Sequence, residues 1–163
     1  MSKIAQDLKE GKEYELNVKE YRKKRSNDAN AYFWVLLGQL AAKLQLPPME
    51  IYREYILDIG DNYQVVQVRE DLIRAWNTIW CDKHDGRITV DMGECAFDPE
   101  YHNVRSYFGS SDFDSAQMAR LIDLVIYDCK ENDIDVISEP EKMQLLEEWA
   151  DAYDRRNNAE KKG

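Results

Sequence analysis

No part of this 163-residue chain is apolar enough to cross a bilayer. The longest apolar run, 29 to 46, is broken by Asn30, Gln39, Lys43 and Gln45. A spanning helix needs about 20 predominantly apolar residues, so this run is expected in a soluble core. With only 7 Gly and 4 Pro, collagenous and low-complexity chains are excluded. Cysteine is limited to Cys81, Cys95 and Cys129, an odd number that does not make a disulfide framework. Met1 to Lys12 carries charges where an export signal has its apolar stretch, so reduced thiols and a cytoplasmic location are expected. The phosphate-cradling G-x-x-x-x-G-K-[ST] loop, the dinucleotide G-x-G-x-x-G and the G-x-S-x-G elbow are all missing, so three large enzyme classes lose their local support.

Charge, by contrast, is abundant and unevenly placed. Against 22 Lys and Arg stand 32 Asp and Glu, a formal net of -10. Residues 1 to 25 hold eight basic and five acidic side chains, net +3. Residues 50 to 100 are net -7 and residues 112 to 151 net -9. The one dense positive cluster is Lys19-Glu20-Tyr21-Arg22-Lys23-Lys24-Arg25, with a shorter basic group at Arg155, Arg156, Lys161 and Lys162. An acidic total argues against general coating of nucleic acid but leaves room for a local basic face.

Hydropathy patterning predicts one α+β domain over 14–154, mainly helical with a few short strands in a small sheet. An N-terminal arm (1–13) and a polar tail (155–163) flank it. Residues 14 to 21 alternate as a half-buried strand. Ser26, Asn27 and Asp28 offer acceptors to the helix start that follows. Phe33, Leu36, Leu37, Leu40 and Leu44 then recur at helical spacing up to Pro47-Pro48. A second helix spans about 49 to 57 and ends at Gly60. Strands are expected at 63–68, 87–92 and 103–108, with a helix at 70–80 carrying Leu72, Ile73, Trp76 and Trp80 on one side. Asp114 and Gln117 form a capping box for a helix from Ser115 to Asn132. Its stripe of Met118, Leu121, Ile122, Val125 and Cys129 is widened by Leu124, Ile126 and Tyr127, which predicts burial on two sides and a dimer surface. Ser138 and Glu141 open the last helix, with Met143, Leu146, Ala150 and Tyr153 as its inner face.

Sites for chemistry are weaker. Cys81, His84, Cys95 and His102 include four soft ligands, but C-x2-H and C-x6-H are not a standard zinc spacing. Asp82, Asp85, Asp91, Glu94 and Asp98 are the densest carboxylates for a two-metal nuclease, yet no lysine-bearing motif accompanies them. No metal, no cofactor and no catalysis are therefore expected.

Residues 22 to 37, RKKRSNDANAYFWVLL, resemble the opening of the core helix in the phage NinB (Orf) recombination proteins. The matching positions are Arg25, Ser26, Asp28 and Asn30, then Trp34 and Leu37; the usually apolar place after Ser26 holds Asn27. A second stretch, SYFGSSDFDSAQMARLIDLVI, is similar to phage proteins that share the first motif. The resemblance implies a non-enzymatic homodimer acting in recombination or replication, in the host cytoplasm. Its partners would be single-stranded DNA and the host single-strand-binding protein. Read from the residues, Lys19, Arg22, Lys23, Lys24 and Arg25 are the expected phosphate contacts. Tyr21 and Tyr32 are the expected stacking groups, each base being worth about 1–3 kcal/mol. Asp28, Asn30 and Trp34 also have a plain reading as helix start and core. The alternative function is an acidic phage anti-defence inhibitor, akin to anti-CRISPR proteins. Its face of Asp123, Asp128, Glu131 and Asp133 would occupy the basic groove of a host nuclease.

Overall fold

A computed structural model describes residues 28–162. The strand expected at 14–21 and the basic cluster at 19–25 lie outside them. The first described helix, α1 (Ala29–Leu44), begins because the Asp28 carboxylate accepts from the free N–H groups of Asn30 and Ala31 at 3.0 and 3.2 Å. Phe33, Leu36, Leu37 and Leu40 are buried at the expected spacing, but Leu44 is exposed. Gln45, in the left-handed region at φ 57°, ends the helix before the prolines are reached. Pro48 starts α2 (Pro48–Ile59) instead of merely stopping α1, since its missing N–H is one that a first turn leaves unbonded anyway.

Three strands follow, β1 (Tyr63–Arg69), β2 (Ile88–Glu94) and β3 (Tyr101–Tyr107), pairing antiparallel in the order β1-β3-β2. Between β1 and β2 a 3-10 turn (Glu70–Leu72) leads into α3 (Ile73–Lys83), so the helix starts three residues later than its acids suggest. Leu72, expected inside, is exposed as a result. Helix α3 lies on one face of the sheet: the Trp76 indole N–H donates to Ser106 Oγ (2.9 Å), the Trp80 indole to the Tyr107 carbonyl (3.0 Å), and Thr89 to Asn77. A bulge between Asp91 and Glu94, with Gly93 at φ 99°, bends the β2–β3 hairpin.

Helix α4 (Ser115–Glu131) is the centre of the core. Both bonds of its capping box form: Gln117 N–H to Asp114 (2.8 Å), and Asp114 N–H to the Gln117 side chain (3.0 Å). Met118, Leu121, Ile122, Val125 and Cys129 are fully buried against α1, α2 and α5. At about 1.5–3 kcal/mol for each large side chain, this stripe is a major share of the stability. Ile126 widens it as expected, whereas Tyr127 turns to solvent.

The last helix, α5 (Glu139–Lys162), continues through the tail expected to be separate. Its Ser138–Glu141 box forms as expected. Its inner face is turned from the expected one: Leu145 and Trp149 are buried, Leu146 packs against the core as expected, and Met143 is 54% exposed. The Trp149 indole N–H reaches the Phe113 carbonyl at 3.0 Å, and that bond sets the rotation of the helix. Further along, Arg156 lies over the rings of Trp149 and Tyr153 and donates to the Ser111 carbonyl, holding the tail as helix. No described helix is long and apolar enough to cross a membrane.

Candidate nucleic-acid interface

Alternation along a strand sends successive side chains to opposite faces, and the registers of β1-β3-β2 sort them. The face under α3 takes Val66, Val68, His102, Val104, Ser106 and Thr89. The opposite face takes Tyr63, Val65, Gln67 and Arg69 from β1, then Tyr101, Asn103, Arg105 and Tyr107 from β3. Ile88, Val90 and Met92 complete it from β2. At one end Tyr107 and Ile88 join the helical core. Tyr63 and Val90 are partly buried against that core as well, and over the rest no described element covers the face: Val65 is 56%, Met92 51% and Tyr101 38% exposed.

The charge of this face separates it from its surroundings. Residues 28–162 hold 27 acidic and 14 basic side chains, net -13. Yet no carboxylate stands on this face of the three strands, which bears two guanidiniums, two amides and, besides the buried Tyr107, two tyrosines. Arg105 lies 4.6 Å over the Tyr63 ring. Its bond to Tyr107, and then the Tyr63 hydroxyl, raise its pKa further, so its charge is fixed at every ordinary pH. Tyr63 in turn packs on Tyr107 with ring centres 5.1 Å apart. Gln67 reaches across β3 to Cys95 Sγ (3.3 Å), and Arg69 is held by Asp71. The hairpin end of the face is rimmed by acids: Glu70, Asp71, Glu94, Asp98 and Glu100. An uncovered surface of aromatic rings, arginine and amides is suited to stacking unpaired bases while guanidinium meets phosphate.

The expected site residues fare differently. Lys19, Tyr21, Arg22, Lys23, Lys24 and Arg25 lie outside the described residues. Tyr32 does not serve as a stacking group: it is 3% exposed, and its hydroxyl accepts from the Ile137 N–H at 3.0 Å. Position 32 follows Asp28 by one helical turn and falls on the buried side of α1, a placement that aromatic type alone does not reveal. On the alternative acidic face, Asp123 is paired with Lys142 (2.9 Å) and Asp128 accepts from the Tyr55 hydroxyl (2.5 Å). Only Glu131 and Asp133 of the four are exposed without such a bond among the described residues.

The soft-ligand set does not converge either. Among the described residues no three His, Cys, Asp or Glu are grouped to hold a metal ion. Cys95 is buried beside Gln67, His102 is tied to Asp91 at 2.8 Å, and His84 lies 3.9 Å from Asp112. Burial pushes the Cys129 thiol up to about 11, so it stays protonated and unreactive at neutral pH.

Tyr63, Gln67, Tyr101, Asn103 and Arg105 were not singled out by sequence reasoning. Their signal was the strand alternation itself, but alternation cannot say which face a helix covers. Beside this sheet lie two cavities. One of about 410 Å³ is lined by Arg87, Asp112 and Arg156 among others, where Arg87 is already bonded to Asp112 at 3.1 Å. The second, of about 540 Å³, lies between α1, α2 and two tight turns. No family model, no curated protein and no solved structure matches the chain.

Proposed function

We propose that the protein binds single-stranded DNA without catalysis, through the open sheet face together with the basic segment Lys19–Arg25. The observation that carries this reading is the carboxylate-free face on a body of net charge -13. At the density of acids over residues 28–162, the eleven positions of this face would carry about two. Stacking on the exposed Tyr101 is worth about 1–3 kcal/mol per base. Repulsion from acids elsewhere on the body is screened beyond about 8 Å at physiological salt. The rim acids at the hairpin end lie closer and set a local repulsion that stacking on Tyr101 has to outweigh. The five cations of the basic segment supply the phosphate attraction that the sheet lacks. The resemblance to NinB proteins, a role in phage recombination or replication, a host single-strand-binding protein as second partner, and a homodimer belong to the same reading.

Fluorescence anisotropy of a labelled 30-mer single strand, titrated from low to physiological salt, tests it. Affinity is expected to fall with salt at a slope of up to about -3.5 in log–log terms if all five cations meet phosphate. Replacing Lys23, Lys24 and Arg25 by Glu should flatten that slope. Tyr101→Ala with Arg105→Glu should weaken binding at every salt concentration. Absence of binding at low salt removes the assignment.

One observation favours a second reading, the acidic inhibitor of a host nuclease. Glu50, Glu54 and Asp58 stand exposed at i, i+4 and i+8 on α2, a like-charge row that costs helix stability. In that case neutralising Glu131 and Asp133 together with this row abolishes inhibition of the target, and the sheet variants leave it unchanged.

A further inference from the structure

The 540 Å³ cavity is lined by residues from α1 (Asn30, Trp34), from the start of α2 (Met49), and from the turns 84–86 and 110–111. Its floor is rigid for an identifiable reason. The buried Tyr52 hydroxyl donates to the Gly86 carbonyl (3.1 Å) and accepts from the Ser110 N–H (3.1 Å), clamping the two turns together. A Cβ on Gly86 would sit 2.2 Å from that hydroxyl, and one on Gly109 would sit 2.7 Å from the Asp85 carbonyl. Glycine at both places lets the turns close on each other.

Against this floor Trp34 stacks on Tyr52, ring centres 4.8 Å apart and 18° from parallel, and is itself only partly buried. A tryptophan backed by a second ring and lining a cavity is a pre-ordered stacking surface. The polar groups around it are mixed. Asn30 Oδ1 accepts from Ser110 Oγ at 2.5 Å, which leaves its amide N–H groups without a bond among the described residues. Ser111 and Asp85 also line it, Asp85 being exposed and paired with no described cation.

We infer that this cavity takes a single nucleobase, stacked on Trp34 and read at its edge by Asp85 and Asn30. The base that fits is guanine: its ring N–H and exocyclic amine supply donors for the carboxylate, and its carbonyl accepts from the amide. Adenine and the pyrimidines offer no such pair of donors beside an acceptor carbonyl. The sugar-phosphate then lies outward, away from Asp85. Asp28, two residues before Asn30, follows Arg25 by only three residues in the chain. The base pocket and the phosphate-binding segment are therefore covalently adjacent. This inference extends the single-strand reading to a preferred base, and its test is arranged so that each can fail alone.

Calorimetric titration with 2′-deoxyguanosine 5′-monophosphate and, separately, the cytidine analogue is the direct measurement. The guanine nucleotide should bind at least tenfold tighter than the cytosine one. Trp34→Ala should weaken it at least tenfold, and Asp85→Asn should remove most of the preference between the two bases. Trp34 packs on Tyr52, so its variant can lose structure; Asp85 is exposed, and its variant keeps the test decisive. Equal binding of both nucleotides, or guanine binding unchanged in Asp85→Asn, overturns the inference. If a 30-mer binds in a Tyr101- and Arg105-dependent way while the guanine nucleotide is not taken up, the sheet reading stands and this pocket falls. Uptake of the nucleotide with no oligonucleotide binding leaves a free-nucleotide pocket and removes the sheet reading.

Discussion

Two phenylalanines summarise the two halves of this molecule. Phe113, between the sheet and α4, has no exposed surface, whereas Phe97, at the tip of the β2–β3 hairpin, is 95% exposed. Around Phe113 the helices α1, α2, α4 and α5 bury every large side chain of one stripe. The hairpin half holds few buried side chains, chiefly Val68, Trp80, Cys95, Val104 and Ser106, and no described element covers most of one sheet face. Stability lives in the first half, and the second is free to present a surface.

The comparison is broken most severely by Phe113→Ala. Deleting a fully buried ring costs about 3–5 kcal/mol, so Tm should fall by roughly 6–20 °C in thermal melts. Gly86→Ala comes next, at about 1–3 kcal/mol, because the position is at φ 82° and the new methyl meets the Tyr52 hydroxyl. Pairing it with Tyr52→Phe, which removes that oxygen, should give less than additive loss in a double-mutant cycle. On the open face, Tyr101→Ala with Arg105→Glu should leave Tm within about 2 °C yet reduce single-strand affinity tenfold or more.

The hairpin itself carries a pH dependence. The Gly93 N–H, and then His102, hold the Asp91 carboxyl below its usual range. A folded value below the unfolded one stabilises above the ordinary carboxylate pKa and is lost as pH falls through the folded value. The Tm difference between wild type and Asp91→Ala should therefore be largest above the ordinary carboxylate range and shrink as pH falls below it. The smallest expected effect is that of Phe97→Ser, within about 0.5 kcal/mol, since a side chain already in water loses no burial. A larger loss there would mean that the hairpin half has packing of its own.

Much of the helical half was legible in the sequence. Asp28, the Asp114–Gln117 box and the Ser138–Glu141 box act within a few residues, so spacing alone located all three helix starts. The α4 stripe emerged for the same reason, with Tyr127 as its one misplaced member. The face of α5 was misjudged because a helix with Met143, Leu145, Leu146 and Trp149 offers two plausible stripes. The bond from Trp149 to the Phe113 carbonyl, 36 residues away, chooses between them. Tyr32 was assigned to the surface for want of the same long-range knowledge, as its hydroxyl bond crosses 105 residues to Ile137.

What the sequence by itself determined, then, is the capped helix starts at Asp28, Asp114 and Ser138, the α+β class, and the separation of positive from negative charge along the chain. Each depends on side chains acting on neighbouring backbone, or on simple counts. Which sheet face stays open, and which aromatic rings face solvent, was decided only by tertiary structure. Strand alternation is symmetric between the two faces, and it is the docking of α3, through Trp76 and Trp80, that breaks the symmetry. The Trp34 cavity is likewise invisible in sequence, because its walls come from four segments that only the closed turns at Gly86 and Gly109 bring together.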